Sequence, residues 1–176
     1  MTTEITATYR LDAQTLEASP ECRELLAVWE GMRAERLAPP WRGFDWRGVP
    51  SAVIPFCGVV DVIAGPPLDF VYRFWGTAHV RAHDQELTGH SVMAMRPEAE
   101  ANSVFAQYRE TLEAARPLFY VNTIEIGKYG SPYVEYSLRL PFSDDGERID
   151  KIFAFSDLRQ NYEALVRDLT GERGRD

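Results

Sequence analysis

The stretch DFVYRFWGTAHVRAHDQELTGHSV, residues 69–92, decides how this chain is read. Phe70, Val71, Tyr72, Arg73, Phe74 and Trp75 form a run rich in β-branched and aromatic side chains, which predicts a strand. Gly76-Thr77 stops that run, a short histidine-bearing helical segment follows, and Glu86-Leu87-Thr88-Gly89 closes it with turn chemistry.

Upstream of this stretch, residues 59–64 are short and apolar, and Gly65-Pro66-Pro67 is a turn. With residues 68–75 they predict a β-hairpin. Further upstream, Ser19-Pro20-Glu21 starts a helix, because Ser can cap, Pro is tolerated in the first turn and Glu suits the positive end. Cys22, Leu25, Leu26, Trp29 and Met32 mark its apolar face, and it ends before Pro39-Pro40. The segment WRGFDWRGVPSAVIPF, residues 41–56, reads as a connector whose aromatic side chains pack onto the body. Residues 1–18 read as an irregular lead-in with at most one short extended piece.

Downstream, Pro97 fits the first turn of a longer helix with Ala101, Val104, Phe105, Tyr108 and Leu112 on one face, and Arg116-Pro117 ends it. Three strands follow, over 118–126, 133–142 and 149–156, separated by GKYGSP (127–132) and by Ser143-Asp144-Asp145-Gly146. In the middle strand Val134, Tyr136, Leu138, Leu140 and Phe142 alternate with Glu135, Ser137 and Arg139, a period of two that predicts one buried and one wet face. Leu158, Tyr162, Leu165, Val166 and Leu169 then mark an amphipathic C-terminal helix. The expected fold class is α+β: a five-stranded antiparallel sheet with helices on one face, plus N- and C-terminal flanking helices. The chain divides into the lead-in (1–18), the N-terminal helix with its Trp/Pro-rich connector (19–58), the core (59–157) and the C-terminal helix with its tail (158–176). A cone-shaped α+β fold of the nuclear-transport-factor type is the alternative, although there the helices come first and the long strands last.

Short pieces in a fixed order carry a family resemblance. They are Leu25-Leu26 with Trp29 and Arg33, Tyr72-Arg73 before Gly76-Thr77, Leu87-Thr88-Gly89, Arg116-Pro117, and Leu140-Pro141-Phe142 with Asp145-Gly146 leading into Ile149-Asp150. Together they resemble the PAS sensor fold, in particular a family of stand-alone bacterial PAS-like proteins. The chain departs from that pattern at Trp41 to Trp46, where aromatics replace a more basic segment, and at His90, where a basic residue is usual. The resemblance implies a sensory or ligand-binding module that cups a small molecule between sheet and helices and biases a flanking helix. It supplies no catalytic residue.

Composition narrows the classes of function. With 27 acidic and 19 basic side chains the formal net charge is −8, which repels phosphate backbones and gives nucleic-acid binding no electrostatic support. No Lys/Arg run suits an anionic membrane, no apolar window approaches the length of a membrane span, and the N-terminus lacks a secretory pattern. Cys22 and Cys57 form neither a disulfide framework nor a metal-knuckle spacing. A cytoplasmic protein is the expectation.

The candidate ligand-facing residues are Phe70, Tyr72, Arg73, Phe74, His79, His83, Tyr120, Ile124, Tyr136 and Leu138. Each apolar member can equally be core. Arg73 can grip an acidic ligand or pair structurally with Asp61 or Glu135. His79 and His83, four apart, share one helical face and can hold a metal or haem only if a third ligand such as His90 or Cys57 joins them. Surface or capping roles are the plainer reading, so no metal is assigned and no cofactor is named. A Gly-x-Ser-x-Gly elbow, a P-loop and a dinucleotide fingerprint are all missing, and no catalytic residue is assigned. The expected function is therefore a PAS-type sensory or ligand-binding protein that signals through a homodimer or a partner signalling protein. A small cone-fold enzyme with a pocket acid or His79 as base is the second reading.

Overall fold

The computed structural model describes residues 4–9, 19–125 and 133–159, with side chains over 19–122 and 134–159. The strands are β1 (Glu4–Tyr9), β2 (Cys57–Ile63), β3 (Asp69–Trp75), β4 (Leu118–Glu125), β5 (Tyr133–Phe142) and β6 (Lys151–Asp157). The helices are α1 (Pro20–Arg33), α2 (Thr77–His83) and α3 (Glu98–Ala114), with single 3₁₀ turns at Trp41–Gly43, Trp46–Gly48, Ile54–Phe56 and Val92–Ala94. The sheet runs β1-β4-β5-β6-β2-β3, and every neighbouring pair is antiparallel. Thus the hairpin β2–β3 and the meander β4–β5–β6 join through β2 and β6, the first and last strands of the core. The molecule has an α+β fold, with a five-stranded antiparallel core and helices between its two strand groups.

Two features extend the expectation. The short extended piece of the lead-in is β1, which adds a sixth strand beside β4. The two faces of the sheet are also both covered. α2 and α3 lie over the inner face, where Phe70 meets Phe105 and Tyr108 of α3 at ring distances of 5.1 and 5.5 Å. α1 and the aromatic connector lie over the outer face. There Phe142 meets Trp41 and Phe44 at 5.1 and 5.6 Å, Phe153 meets Phe44 at 5.5 Å, and Trp46 meets Phe74 at 4.9 Å. The helices within the core thus share one face as expected, and the N-terminal flanking helix takes the other. The C-terminal helix and the 127–132 turn lie outside the described residues.

α1 starts where the sequence places it. Ser19 caps it by accepting from the Cys22 amide, and Cys22, Leu25 and Trp29 are its buried face. It ends at Arg33, ahead of the prolines. Trp29 Nε1 donates to the Pro141 carbonyl at 2.6 Å, which pins the helix to β5. At its other end Ser19 Oγ donates to Asp157 at 3.3 Å, while Arg159 bridges Asp157 and Glu21 at 2.7 and 2.6 Å. The guanidinium of Arg159 holds the Glu21 carboxyl below the usual range.

The Leu87-Thr88-Gly89 corner protects the sheet edge at β3. The Tyr72 amide donates to the His90 carbonyl at 2.9 Å, and the Gly89 amide donates back to Tyr72 at 2.7 Å. Gly89 sits at φ +81°, a conformation that L side chains adopt only under strain. The corner thereby satisfies β3 groups that would otherwise offer a template for strand addition.

Candidate functional site

The inner face has an aromatic half and a polar half. The aromatic half belongs to β2, β3 and the helices above them. Phe70 and Tyr72 are buried, and Tyr72 lies 4.5 Å from Trp75 and 6.4 Å from Tyr108, ring to ring. Trp75 stacks on His79 at 4.5 Å and lies 5.4 Å from His83.

His79 Nε2 sits 2.9 Å from the Phe56 carbonyl. A carbonyl can only accept, so Nε2 carries the proton and Nδ1 presents a lone pair. Burial, with the neighbouring His83 next in effect, lowers the His79 pKa to about 3 and keeps the ring neutral. His83 behaves oppositely. Burial opposes its charge, yet Glu100, whose Oε2 is 3.5 Å from Nδ1, raises its pKa overall, with Glu135 adding to the effect. The pair ties α2 to α3.

His83 binds its proton more tightly folded than unfolded, so its contribution is fully present below the unfolded value of about 6.5 and fades as pH rises through the folded one. Glu100→Gln removes the carboxylate that sustains the shift. Melting curves from pH 5.5 to 9 are expected to show wild type above the variant at low pH, with the gap narrowing as pH rises. A gap constant across the range contradicts this role.

The polar half lies under α3, on β4, β5 and β6. Asn122, Ser137, Arg139 and Ser156 are buried there with Gln107 of α3. Arg139 Nη2 donates to Gln107 Oε1 at 2.8 Å, Gln107 Nε2 to Asn122 Oδ1 at 3.0 Å, and Asn122 Nδ2 to Glu135 Oε1 at 3.0 Å. A guanidinium can only donate, so each amide is oriented in turn and the chain runs from cation to carboxylate through two neutral groups. Ser137 donates to Glu135 and lies 3.1 Å from Ser156, while Thr111 and Tyr120 both donate to the Gln107 carbonyl. Arg139 also stacks over Tyr108 at 5.2 Å, which joins the two halves.

The structure splits the predicted residues. Phe70, Tyr72, Tyr120, His79 and His83 gather at the inner face. Phe74, Tyr136 and Leu138 lie on the outer face, where Leu138 is fully buried and Phe74 touches Trp46. Phe74 leaves the face of Phe70 and Tyr72 because a bulge between Val59 and Val60 makes Arg73 an extra residue, and Trp75 takes the inward place. Arg73 is exposed and forms the structural pair with Asp61, its Nε 2.9 Å from Oδ1. The side chain of Ile124 lies outside the described residues. His90 is exposed beyond the β3 edge, and Cys57, on the outer face, donates to the Val53 carbonyl at 3.2 Å. Among the described residues no group of three or more His, Cys, Asp and Glu side chains has metal-binding geometry.

One expectation is overturned. The supposed wet face of residues 133–142 is interior at Ser137 and Arg139, which are buried under α3, while Leu138, Leu140 and Phe142 are buried on the outer side and Val134 is exposed. Strand alternation reports two environments but not that both are covered, so the sequence reading missed Gln107, Asn122, Ser137 and Arg139. The signal was present in the connector, whose three Trp and Phe side chains at 41, 44 and 46 need a sheet face to cover.

No protein-family model matches the chain, and no curated protein does. One similar solved structure is of an RNA-binding light-oxygen-voltage receptor, with a TM-score of 0.44 and 9% identity over 97% of this chain. The chain spans 42% of the length of that one. Among the described residues, no helix is long and apolar enough to cross a membrane.

Proposed function

We propose that the protein is a PAS-type sensory module that binds a small molecule between α3 and the polar half of the inner face. The observation that carries this reading is the Arg139–Gln107–Asn122–Glu135 chain. A core needs no such chain, because apolar side chains of similar volume fill the same space without the cost of burying charge. Here a buried cation reaches its counter-charge only through two amides, an arrangement suited to exchanging partners when a ligand arrives. Occupancy alters how α3 sits on β4–β6. The change reaches α1 through β5 and β6, whose outer sides hold Trp29 and Ser19. The output is self-association or contact with a partner signalling protein. The cone-fold enzyme reading has no support in the order of elements, and His79, stacked on Trp75 and donating to Phe56, is placed to hold the α2 packing.

Native mass spectrometry of freshly purified protein, paired with an absorbance scan, tests the reading. Excess mass that disappears on denaturation is the expected result. A bare mass, together with no response to any added small molecule, overturns it.

A further inference from the structure

The buried polar atoms that lack a partner are distributed in a telling way. Among the described residues Arg139 Nε and His79 Nδ1 have none, and both lie at the interface between the inner face and its helices, whereas His83 Nδ1 has its ion pair with Glu100. Arg139 is 3% exposed, and among the described residues no carboxylate forms an ion pair with it. Its Nη2 is engaged by Gln107 and its Nη1 only by its neighbour's carbonyl at 3.4 Å, which leaves Nε–H unspent. Isolating a guanidinium from water is costly unless an anion compensates it. The edge of a guanidinium that includes Nε is well shaped for a carboxylate, which accepts two parallel N–H bonds.

We propose that Arg139 anchors the carboxylate of a small aromatic acid, bound between α3 and the inner face with its ring against Tyr108 and Tyr72. This inference rests on the ligand-binding reading above and names the class of ligand. Charge balance selects the class. A guanidinium whose counter-charge on Glu135 is reached only through two amides has room at contact distance for one negative charge, whereas a phosphate dianion adds a surplus charge next to Glu135 and Glu100, both part-buried. The rings select the remainder of the molecule, since Tyr108 lies 5.2 Å from the guanidinium and 6.4 Å from Tyr72. His79 Nδ1, an acceptor at neutral pH, leaves room in the scheme for an acid that also carries an N–H or O–H.

The test uses benzoate and indole-3-acetate, each against its uncharged amide, titrated calorimetrically at fixed ionic strength into the full chain. The acids are expected to bind at least tenfold more tightly than their amides, and Arg139→Gln is expected to bring both to the amide level. Acid and amide binding equally overturns the carboxylate assignment and leaves the ligand-binding reading standing. A preference for the acid that survives Arg139→Gln places the anion elsewhere and overturns it too. If none of the four binds, the assignment fails, and the retained-mass experiment on unsubstituted protein separately decides the broader reading. The acid–amide comparison needs no variant, so it decides the matter even if Arg139→Gln does not fold.

Discussion

Gly76→Ala is expected to destabilise the protein by ~3 kcal/mol or more, at or beyond the upper end for an overpacked site. Gly76 has ordinary extended torsions, so the demand is not conformational. It is one of approach: a Cβ there falls 2.2 Å from the Pro55 carbonyl oxygen and 2.7 Å from that of Cys57. Both obstacles are backbone, and neither can rotate away. Relief requires the strand end of β3 to part from the 54–56 turn, which also breaks the 2.9 Å bond from the Gly76 amide to Cys57. Because α2 begins at the next residue, the same movement lifts His79 off Phe56. Chemical denaturation of the variant checks this, and a midpoint equal to wild type contradicts the packing described at the β3–α2 junction.

Phe153→Ala is expected to cost ~3–5 kcal/mol, the range for a fully buried phenylalanine, and in a chain of this size to lower the melting midpoint by about 6–20 °C. Phe153 is fully buried at the centre of the outer face, opposite Val59 and Leu140 in the sheet. The rings of Phe44 and Trp46 close over it at 5.5 and 5.9 Å. Truncation therefore leaves a cavity and also unseats the connector. Tryptophan emission should shift to the red in the folded variant as Trp41 and Trp46 gain water. An unchanged spectrum with a small loss of stability contradicts the role given to the connector.

Much of the fold is legible in the residues because local chemistry sets it. Ser19 and Pro20 start α1, Pro97 and Arg116-Pro117 bracket α3, and the core strands fall within two residues or so of their expected limits. What escapes is set between segments. The bulge that turns Phe74 outward depends on how β2 and β3 pair. The contact that makes Gly76 obligatory comes from a turn twenty residues earlier. The candidate site suffers most. Arg139 and Ser137 occupy the polar positions of an alternating strand, which look the same in sequence whether they meet water or a covering helix. Only α3, placed over them by the topology, makes them interior. The histidine pair shares one side of its short helix, as a spacing of four requires in any packing, but both side chains are buried, where the sequence favours surface or capping roles.

The outer face docks α1 and the connector, and recognition is proposed for the inner face under α3. Hydrogen exchange on protein as purified, compared with the same protein refolded after exhaustive dialysis under denaturing conditions, addresses it directly. Faster exchange after stripping is expected in α3 and in β4 to β6, reversed by adding back the small-molecule extract. Exchange differences confined to the Trp46–Ile54 surface and α1, or none in α3, would contradict it.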